Sequence, residues 1–390
     1  MSNIRTLGTL AVLLGFASIS TDLFLPALPT MAEALGAGPG QMELVVSTYL
    51  AGFGFGQLLW GPISDRFGRR GPILLGVAVF ALGSAGCALA TAPWQIILWR
   101  IVQALGASAG VALARAMIRD LYERDRAAKI LSGLMTVMAV APLVGPSLGA
   151  AILKVAPWQA IFWLLVGFGL ATLVAVMALP ESLAPDKRTK GALSGAFRDY
   201  ALHLTNRGLM TRAGALGFYY LGVFAGIAGA PFAYITHHGL SPQAYALVFG
   251  SGIVGLMAAN MLNARLVTTL GAERMLRIGT LGAAVTGLAF AAVTATDWQG
   301  VAGLVAVNLG FTAMNGLIAA NAVAGALASV KHAAGSASAV VGALQYGGGM
   351  AGAALVAALA DGTPWPMGLV VALGGCGSLL CAWAAGRQVT

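Results

Sequence analysis

Asp22 lies in an otherwise apolar run from about Leu7 to Pro29. A carboxylate in such a run costs of order 2.5–3.5 kcal/mol to place in hydrocarbon, so it is expected to face a cavity and to serve a function there. Its proton affinity depends on whether water, apolar groups or a guanidinium surround it, so a change of conformation can load and unload a proton. Asp22 precedes Pro29 by 7 residues and Arg100 follows Pro93 by 7, which sets both roughly 10 Å in from the same side at a helical rise of about 1.5 Å per residue. Arg100 is therefore the expected partner, stabilising ionised Asp22 in one state and released from it by proton or substrate in another. The alternative is an interfacial aspartate at a helix end beside Pro26.

A second constellation is a charged hinge between two apolar runs. Residues 61–70 read GPISDRFGRR, setting Asp65, Arg66, Arg69 and Arg70 beside Gly61 and Gly68. Asp65 is placed to accept hydrogen bonds from a facing helix N-terminus or to pair with a nearby arginine; the plainer reading is a solvated loop. Just upstream, Gly52, Gly54 and Gly56 give the second run a small face that a neighbouring helix can approach closely. A third group lies in the fifth apolar run, where Pro142 and Pro146 interrupt the backbone ladder and Gly145 and Gly149 leave room for a close neighbour. Such a helix is expected to be bent and tightly packed.

The elements that must hold these residues follow from composition. The chain has 390 residues, of which 58% are hydrophobic and 9% charged, with 54 glycines. That is too little polar surface to cover a water-soluble globule of this size. An all-α membrane protein is expected, with about twelve transmembrane helices of roughly 20 apolar residues each. The runs are 7–29, 43–63, 72–90, 95–118, 128–153 and 158–179, followed by 211–235, 244–268, 275–295, 300–324, 335–360 and 365–386. Six runs, a basic segment and six runs suggest an internal duplication, with an N-terminal bundle over 1–180, a cytoplasmic linker over 181–210 and a C-terminal bundle over 211–390. Asn263, Arg265, Gly271 and Arg274 form a faint counterpart of the charged hinge in the second half. Two related bundles place a cavity between them near the midplane.

Charge supports this layout. Of the 22 Lys and Arg, all but Arg100, Arg115 and Lys154 fall on one predicted side, which makes that side and both termini cytoplasmic. The net charge of +9 is thereby a matter of topology, and no nucleic-acid partner is implied. Cys87, Cys376 and Cys381 lie in apolar runs without CxxC spacing and read as packing residues, not metal or redox groups.

Polar residues inside the runs are candidates to line the cavity: Tyr49, Gln57, Gln103 and Arg115 in the first half, and Tyr219, Tyr220, Asn260, Asn315, Gln345 and Tyr346 in the second. A mostly apolar site with a few polar groups suits broad specificity. Each of them can equally be an interhelical hydrogen-bond partner, and Arg115 can snorkel to the headgroups. His237 and His238 read as an exposed pair at the outer end of the seventh run. No catalytic cluster appears: none of the four histidines sits in HExxH, and intramembrane carboxylates are expected to be confined to Asp22.

These motifs carry a resemblance. GPISDRFGRR resembles the loop motif of the major facilitator superfamily. RIVQALGASAG, with Arg100, Gln103, Gly106 and Gly110, resembles the arginine motif of its proton-coupled members, and APLVGPSLGA the antiporter motif of its exporters. TDLFLPALP, with Asp22, Pro26 and Pro29, together with RAMIRDLY from Arg115 to Tyr122, is similar to the Bcr/CflA group of multidrug exporters. The likeness covers nearly the whole chain, with the specific motifs in the first half.

The resemblance implies the major facilitator fold, in which two six-helix bundles surround a central cavity. It implies a drug:proton antiporter of a bacterial inner membrane working by alternating access, a monomer that needs protons as coupling ion and no other cofactor. Small hydrophobic or amphipathic compounds would be its cargo. Asp22 and Arg100 would carry proton coupling. Gly61, Asp65, Arg66, Gly68, Arg69 and Arg70 would gate against the start of the eleventh span near Gly335 and Ser336, and Pro142, Gly145, Pro146 and Gly149 would bias the alternation. Some relatives carry a second acid two turns before the aspartate, where this chain has Leu14, which favours neutral or zwitterionic substrates. Export of an endogenous metabolite such as an amino acid or sugar is the alternative within transport, and a non-transporting receptor is the alternative outside it.

Overall fold

A computed structural model describes residues 4–38, 40–123, 126–127, 130–131, 133–134, 141–188, 201–330 and 334–386. Among these every regular element is helical: α1 Ile4–Asp22, α2 Leu28–Leu35, α3 Glu43–Phe67, α4 Arg70–Ala88, α5 Pro93–Leu121, α6 Ala141–Ile152, α7 Gln159–Met177, α8 Arg207–Pro231, α9 Pro242–Leu270, α10 Ala272–Thr296, α11 Gly300–Ala313, α12 Asn315–Ala328, α13 Ala334–Leu359 and α14 Trp365–Gly386. Taking α1 with α2 and α11 with α12 as single crossings, 11 helices are long and apolar enough to span a membrane. The fifth expected run is represented by the shorter α6; the remainder of that run falls partly outside the described residues.

The chain forms two compact units, one drawn from residues 1–36 and 48–195, the other from 37–47 and 196–390. In the first, α4 lies between α5 and α7, and α1 crosses α5 and α6. Small residues set these approaches: a Cβ on Gly106 would stand 2.7 Å from Phe80 Cα on α4, so the two backbones touch directly. Rings of Phe16, Phe80 and Phe168 close the core beside them. In the second unit α8 packs on α13 and α14, and α10 on α14.

Two crossings are broken at polar residues. α1 ends at Asp22, a 3-10 turn over Leu25–Ala27 follows, and α2 restarts at Leu28. Pro26 and Pro29 bring no amide hydrogen to this stretch, so the ladder cannot run through it. In the second unit the break falls between α11 and α12 at Met314, immediately before Asn315. Interrupted backbone at membrane depth is tolerated where it is buried in protein or lines a cavity. A third irregularity is a π-helical turn, Phe232–His237, which continues α8 beyond Pro231.

Candidate functional site

The break in the first crossing puts Asp22 at the C-terminus of α1, 6% exposed. Thr21 Oγ1 lies 3.0 Å from Asp22 Oδ1 and 2.8 Å from the carbonyl of Ala17, so its single hydroxyl hydrogen has two acceptors in reach. α6 closes over this point. A Cβ on Gly145 would sit 3.0 Å from Asp22 Cβ, and one on Gly149 only 1.9 Å from the carbonyl oxygen of Leu23. The glycines of the fifth-run motif are thus the surface against which the aspartate-bearing break rests.

Arg100 reaches the same level from α5, as the matched depths require. Fully buried, it donates from Nη1 to Ser20 O at 2.9 Å and to Gln103 Oε1 at 2.5 Å. Its guanidinium carbon lies 4.1 Å from the ring centre of Phe24 and 4.2 Å from that of Tyr49, so two aromatic faces take up the charge. Each such contact is worth about 2 kcal/mol when desolvated. Gln103 Nε2 donates on to Ser84 Oγ at 2.7 Å, and Ser20 Oγ shares a hydrogen bond with the Tyr49 hydroxyl. No Asp22–Arg100 ion pair forms in this arrangement. Arg100 Nε and Nη2 carry no hydrogen bond to the described residues.

At the other end of α3 the charged hinge is held together through Arg69. Arg69, 8% exposed, donates from Nη1 to Asp65 Oδ1 at 2.5 Å and to Ser64 Oγ at 2.6 Å, and from Nε to Asp120 Oδ2 at 2.9 Å. Of the two partners open to Asp65, the arginine is therefore the one realised here. The helix N-terminus is capped by another carboxylate: Glu181 accepts from the amides of Arg69 at 2.8 Å and Arg70 at 3.1 Å where α4 begins, a favourable place for negative charge. Burial works against the charge of Glu181, but the amides of Arg69, Leu183 and Arg70 and the Arg188 guanidinium outweigh it and hold its carboxyl below the usual value. Burial likewise opposes the charge on Arg69, yet Asp120 and Asp65 together hold its guanidinium above the ordinary range. Gly68 is needed on two grounds, a left-handed φ of 92° and the 2.6 Å that would separate its Cβ from Glu181 Oε2. Arg70 donates to the carbonyl of Met177, Arg66 lies over the ring of Phe67, and Gly61 stands in open space.

The sequence matches the profile of the Major Facilitator Superfamily over residues 10–353. The chain belongs to the Major Facilitator Superfamily. It is 31% identical to a bicyclomycin resistance protein homolog of Haemophilus influenzae, over 96% of this chain and 92% of the relative. It is 32% identical to a chloramphenicol resistance protein of Pseudomonas aeruginosa, over 90% and 83%. The fold is that of the xylose transporter XylE from E. coli in a partially occluded inward open conformation, with a TM-score of 0.73 at 17% identity over 99% of this chain and 96% of that one. This Major Facilitator Superfamily member is a multi-pass membrane transporter of small molecules, not an enzyme.

The remaining predicted site residues of this superfamily member divide in two. Tyr220 faces the side chains of Asn315 and Gln345, so three expected cavity residues meet at the break before α12. Tyr49 and Gln103 join the Arg100 network described above. Tyr219 is instead committed to packing, fully buried with its hydroxyl donated to Phe311 O at 2.8 Å and its ring stacked on Phe311. Gln57 and Tyr346 are half-buried and Asn260 is exposed. Arg115 is half-buried, and its Nε has no hydrogen-bond partner among the described residues. Pro146 is buried in α6, and Pro142 is half-buried in its first turn. Ser336 shares a hydrogen bond with His203 at 2.9 Å within the second unit.

Sequence reasoning missed three carboxylates. Glu43, the first residue of α3, is only 7% exposed and adds a second buried acid at a helix start. Asp120 falls in the RAMIRDLY stretch, and its pairing with Arg69 ties that stretch to the hinge. Glu181 belongs to the PES that follows the sixth run, a tripeptide too short to declare itself as a cap.

Proposed function

We propose that this transporter is a drug:proton antiporter, exporting small hydrophobic or amphipathic compounds by alternating access in exchange for protons. The observation that carries the reading is Asp22 itself: a carboxylate at a helix break, enclosed by Thr21 and the α6 glycines, one half-turn from the carbonyl that anchors Arg100. The names of the two resistance-protein relatives support drugs as cargo, with compounds of the bicyclomycin, phenicol and sulfonamide type as a starting panel.

In the mechanism, ionised Asp22 accepts a hydrogen bond from the Thr21 hydroxyl. On protonation Asp22 becomes the donor to Thr21 Oγ1, and the Thr21 hydroxyl turns to the carbonyl of Ala17. A backbone shift at the end of α1 that follows this exchange is passed to α6, because Gly149 packs directly on the Leu23 carbonyl. The two unbonded nitrogens of Arg100 are available to ionised Asp22 in the alternate state, so the arginine trades the aromatic cage for the carboxylate as the bundle moves. Packing of the Arg69, Asp65 and Asp120 hinge holds α3 and α4 in one arrangement and gates the cytoplasmic side. The reading includes an inner-membrane monomer with both termini in the cytoplasm, 1–180 and 211–390 acting as the two moving bundles, and no cofactor besides protons. Leu14, buried in α1, leaves Asp22 as the sole acid of that helix, which favours neutral or zwitterionic substrates.

The test is substrate-induced proton release from purified, reconstituted protein, wild type against Asp22→Asn, with a panel of neutral and cationic drugs. Release by wild type that disappears in the variant is the expected result. Folded wild-type protein that releases no proton with any compound would overturn the drug assignment and direct the search to metabolites.

A further inference from the structure

Two loops at one end of the second unit bring His237, His238 and Asp297 together. His237 closes the π-helical turn after α8, and Asp297 follows the last residue of α10. One ligand atom from each of the three lies within 4.8 Å of the others. His238 Nε2 is 3.6 Å from Asp297 Oδ1, too long for a hydrogen bond. The His238 side chain is 10% exposed, and its Nε2 is buried with no hydrogen-bond partner among the described residues. The sequence suggested an exposed pair, yet one of the two imidazoles is enclosed and aimed at a carboxylate it does not reach.

The surroundings hold this arrangement. Asp297 and Gln299 both adopt left-handed backbone, with φ of 50° and 60°, which costs a non-glycine residue roughly 1–2 kcal/mol. The two rings meet edge to face with centroids 4.8 Å apart. A cavity of about 420 Å³ opens beside them, lined by His237, Asp297, Thr294, Thr363 and Trp365.

We infer that these residues form a site for a borderline divalent transition cation of the zinc class. Two imidazole nitrogens and one carboxylate oxygen are a three-ligand set for zinc, with a fourth, open position left for water. Ligand atoms about 2.1 Å from a tetrahedral ion stand about 3.4 Å apart, so the set must close by about 1.4 Å at its widest separation. The exposed His237 and Asp297 side chains are free to make that rotation. The ion satisfies the buried His238 nitrogen and ties the loop after α8 to the loop after α10. Under the topology proposed above, this is the outer face of the second unit, so the site meets external metal without crossing the membrane. A hard cation such as magnesium does not suit it, because that ion prefers oxygen ligands and keeps its waters.

The experiment is calorimetric titration of ZnCl₂ into full-length, tag-free, EDTA-treated protein in detergent, with MgCl₂ as control. One zinc per chain is expected, with affinity reduced at least tenfold in each of His238→Ala, His237→Gln and Asp297→Asn, and no saturable heat from magnesium. The last two substitutions are on exposed side chains, so they report on binding even where His238→Ala fails to fold. Absence of saturable zinc binding in wild type would overturn the inference, as would binding undiminished in both His237→Gln and Asp297→Asn. An equal response to magnesium would also overturn it, since it would mark a nonspecific site.

Discussion

Replacing Gly149 with alanine adds one methyl group where the structure has no room for it. The new Cβ would lie 1.9 Å from the carbonyl oxygen of Leu23 and 3.0 Å from its carbonyl carbon. A carbon and a carbonyl oxygen approach to about 3.3 Å, so α6 must withdraw by about 1.4 Å or the helix break must deform by the same amount. The groups on the far side are backbone, which cannot rotate away. At Gly145 the added carbon would meet Asp22 Cβ at 3.0 Å, a milder conflict, and at Gly167 it would meet nothing within 4 Å. Overpacking of this kind costs about 1–3 kcal/mol. If the cost falls on one of two transport states, that is a shift of about 5- to 150-fold in their balance. Initial rates of drug uptake into inside-out proteoliposomes under an imposed pH gradient are expected to order as Gly167→Ala equal to wild type, Gly145→Ala reduced, and Gly149→Ala reduced most. Thermal unfolding of the same proteins in detergent separates loss of transport from loss of fold. Wild-type rates in Gly149→Ala, or equal losses in Gly149→Ala and Gly167→Ala, would refute the claim that α6 is seated on the Asp22 break.

Four further outcomes are expected. Asp22→Asn abolishes proton-driven exchange while gel filtration shows an intact fold; transport that still follows the pH gradient would move coupling to another group. Arg100→Lys lowers the proton-driven rate at least tenfold, because a lysine ammonium has no flat guanidinium face to lie between Phe24 and Tyr49; an unchanged rate would show that only the charge matters. Glu181 has a folded-state carboxyl below its ordinary value of 4.5, so its contribution to stability is complete above that value and is lost as pH falls through the lower folded one. Melting curves taken toward acid should therefore steepen for wild type relative to Glu181→Gln, and parallel curves would remove the capping role. Asp65→Asn breaks one of the two anionic contacts of Arg69 and should slow the exchange between states more than it weakens drug binding; a large loss of affinity with normal turnover would contradict a gate.

Much of the architecture was legible because it rests on local quantities. Apolar length defines a span, since it does not depend on which helix lies alongside. The matched depth of Asp22 and Arg100 was likewise a matter of rise per residue, and the contact between Arg100 and Ser20 agrees with it. What the sequence left open was azimuth and partner. Depth alone led to an aspartate–arginine pair, whereas packing turns the guanidinium between two rings and leaves the carboxylate to Thr21. Tyr219 and Tyr220 are neighbours in sequence with equal polarity, yet a rotation of about 100° per residue around α8 sends one to the carbonyl of Phe311 and the other to Asn315 and Gln345. Glu181 stands more than a hundred positions from the helix it caps, and Asp297 some sixty from the histidines it faces. In lipid no polarity gradient pulls one face of a helix inward, so small-residue contacts such as Gly149 against Leu23 decide which side chains meet, and those contacts exist only once the helices are packed.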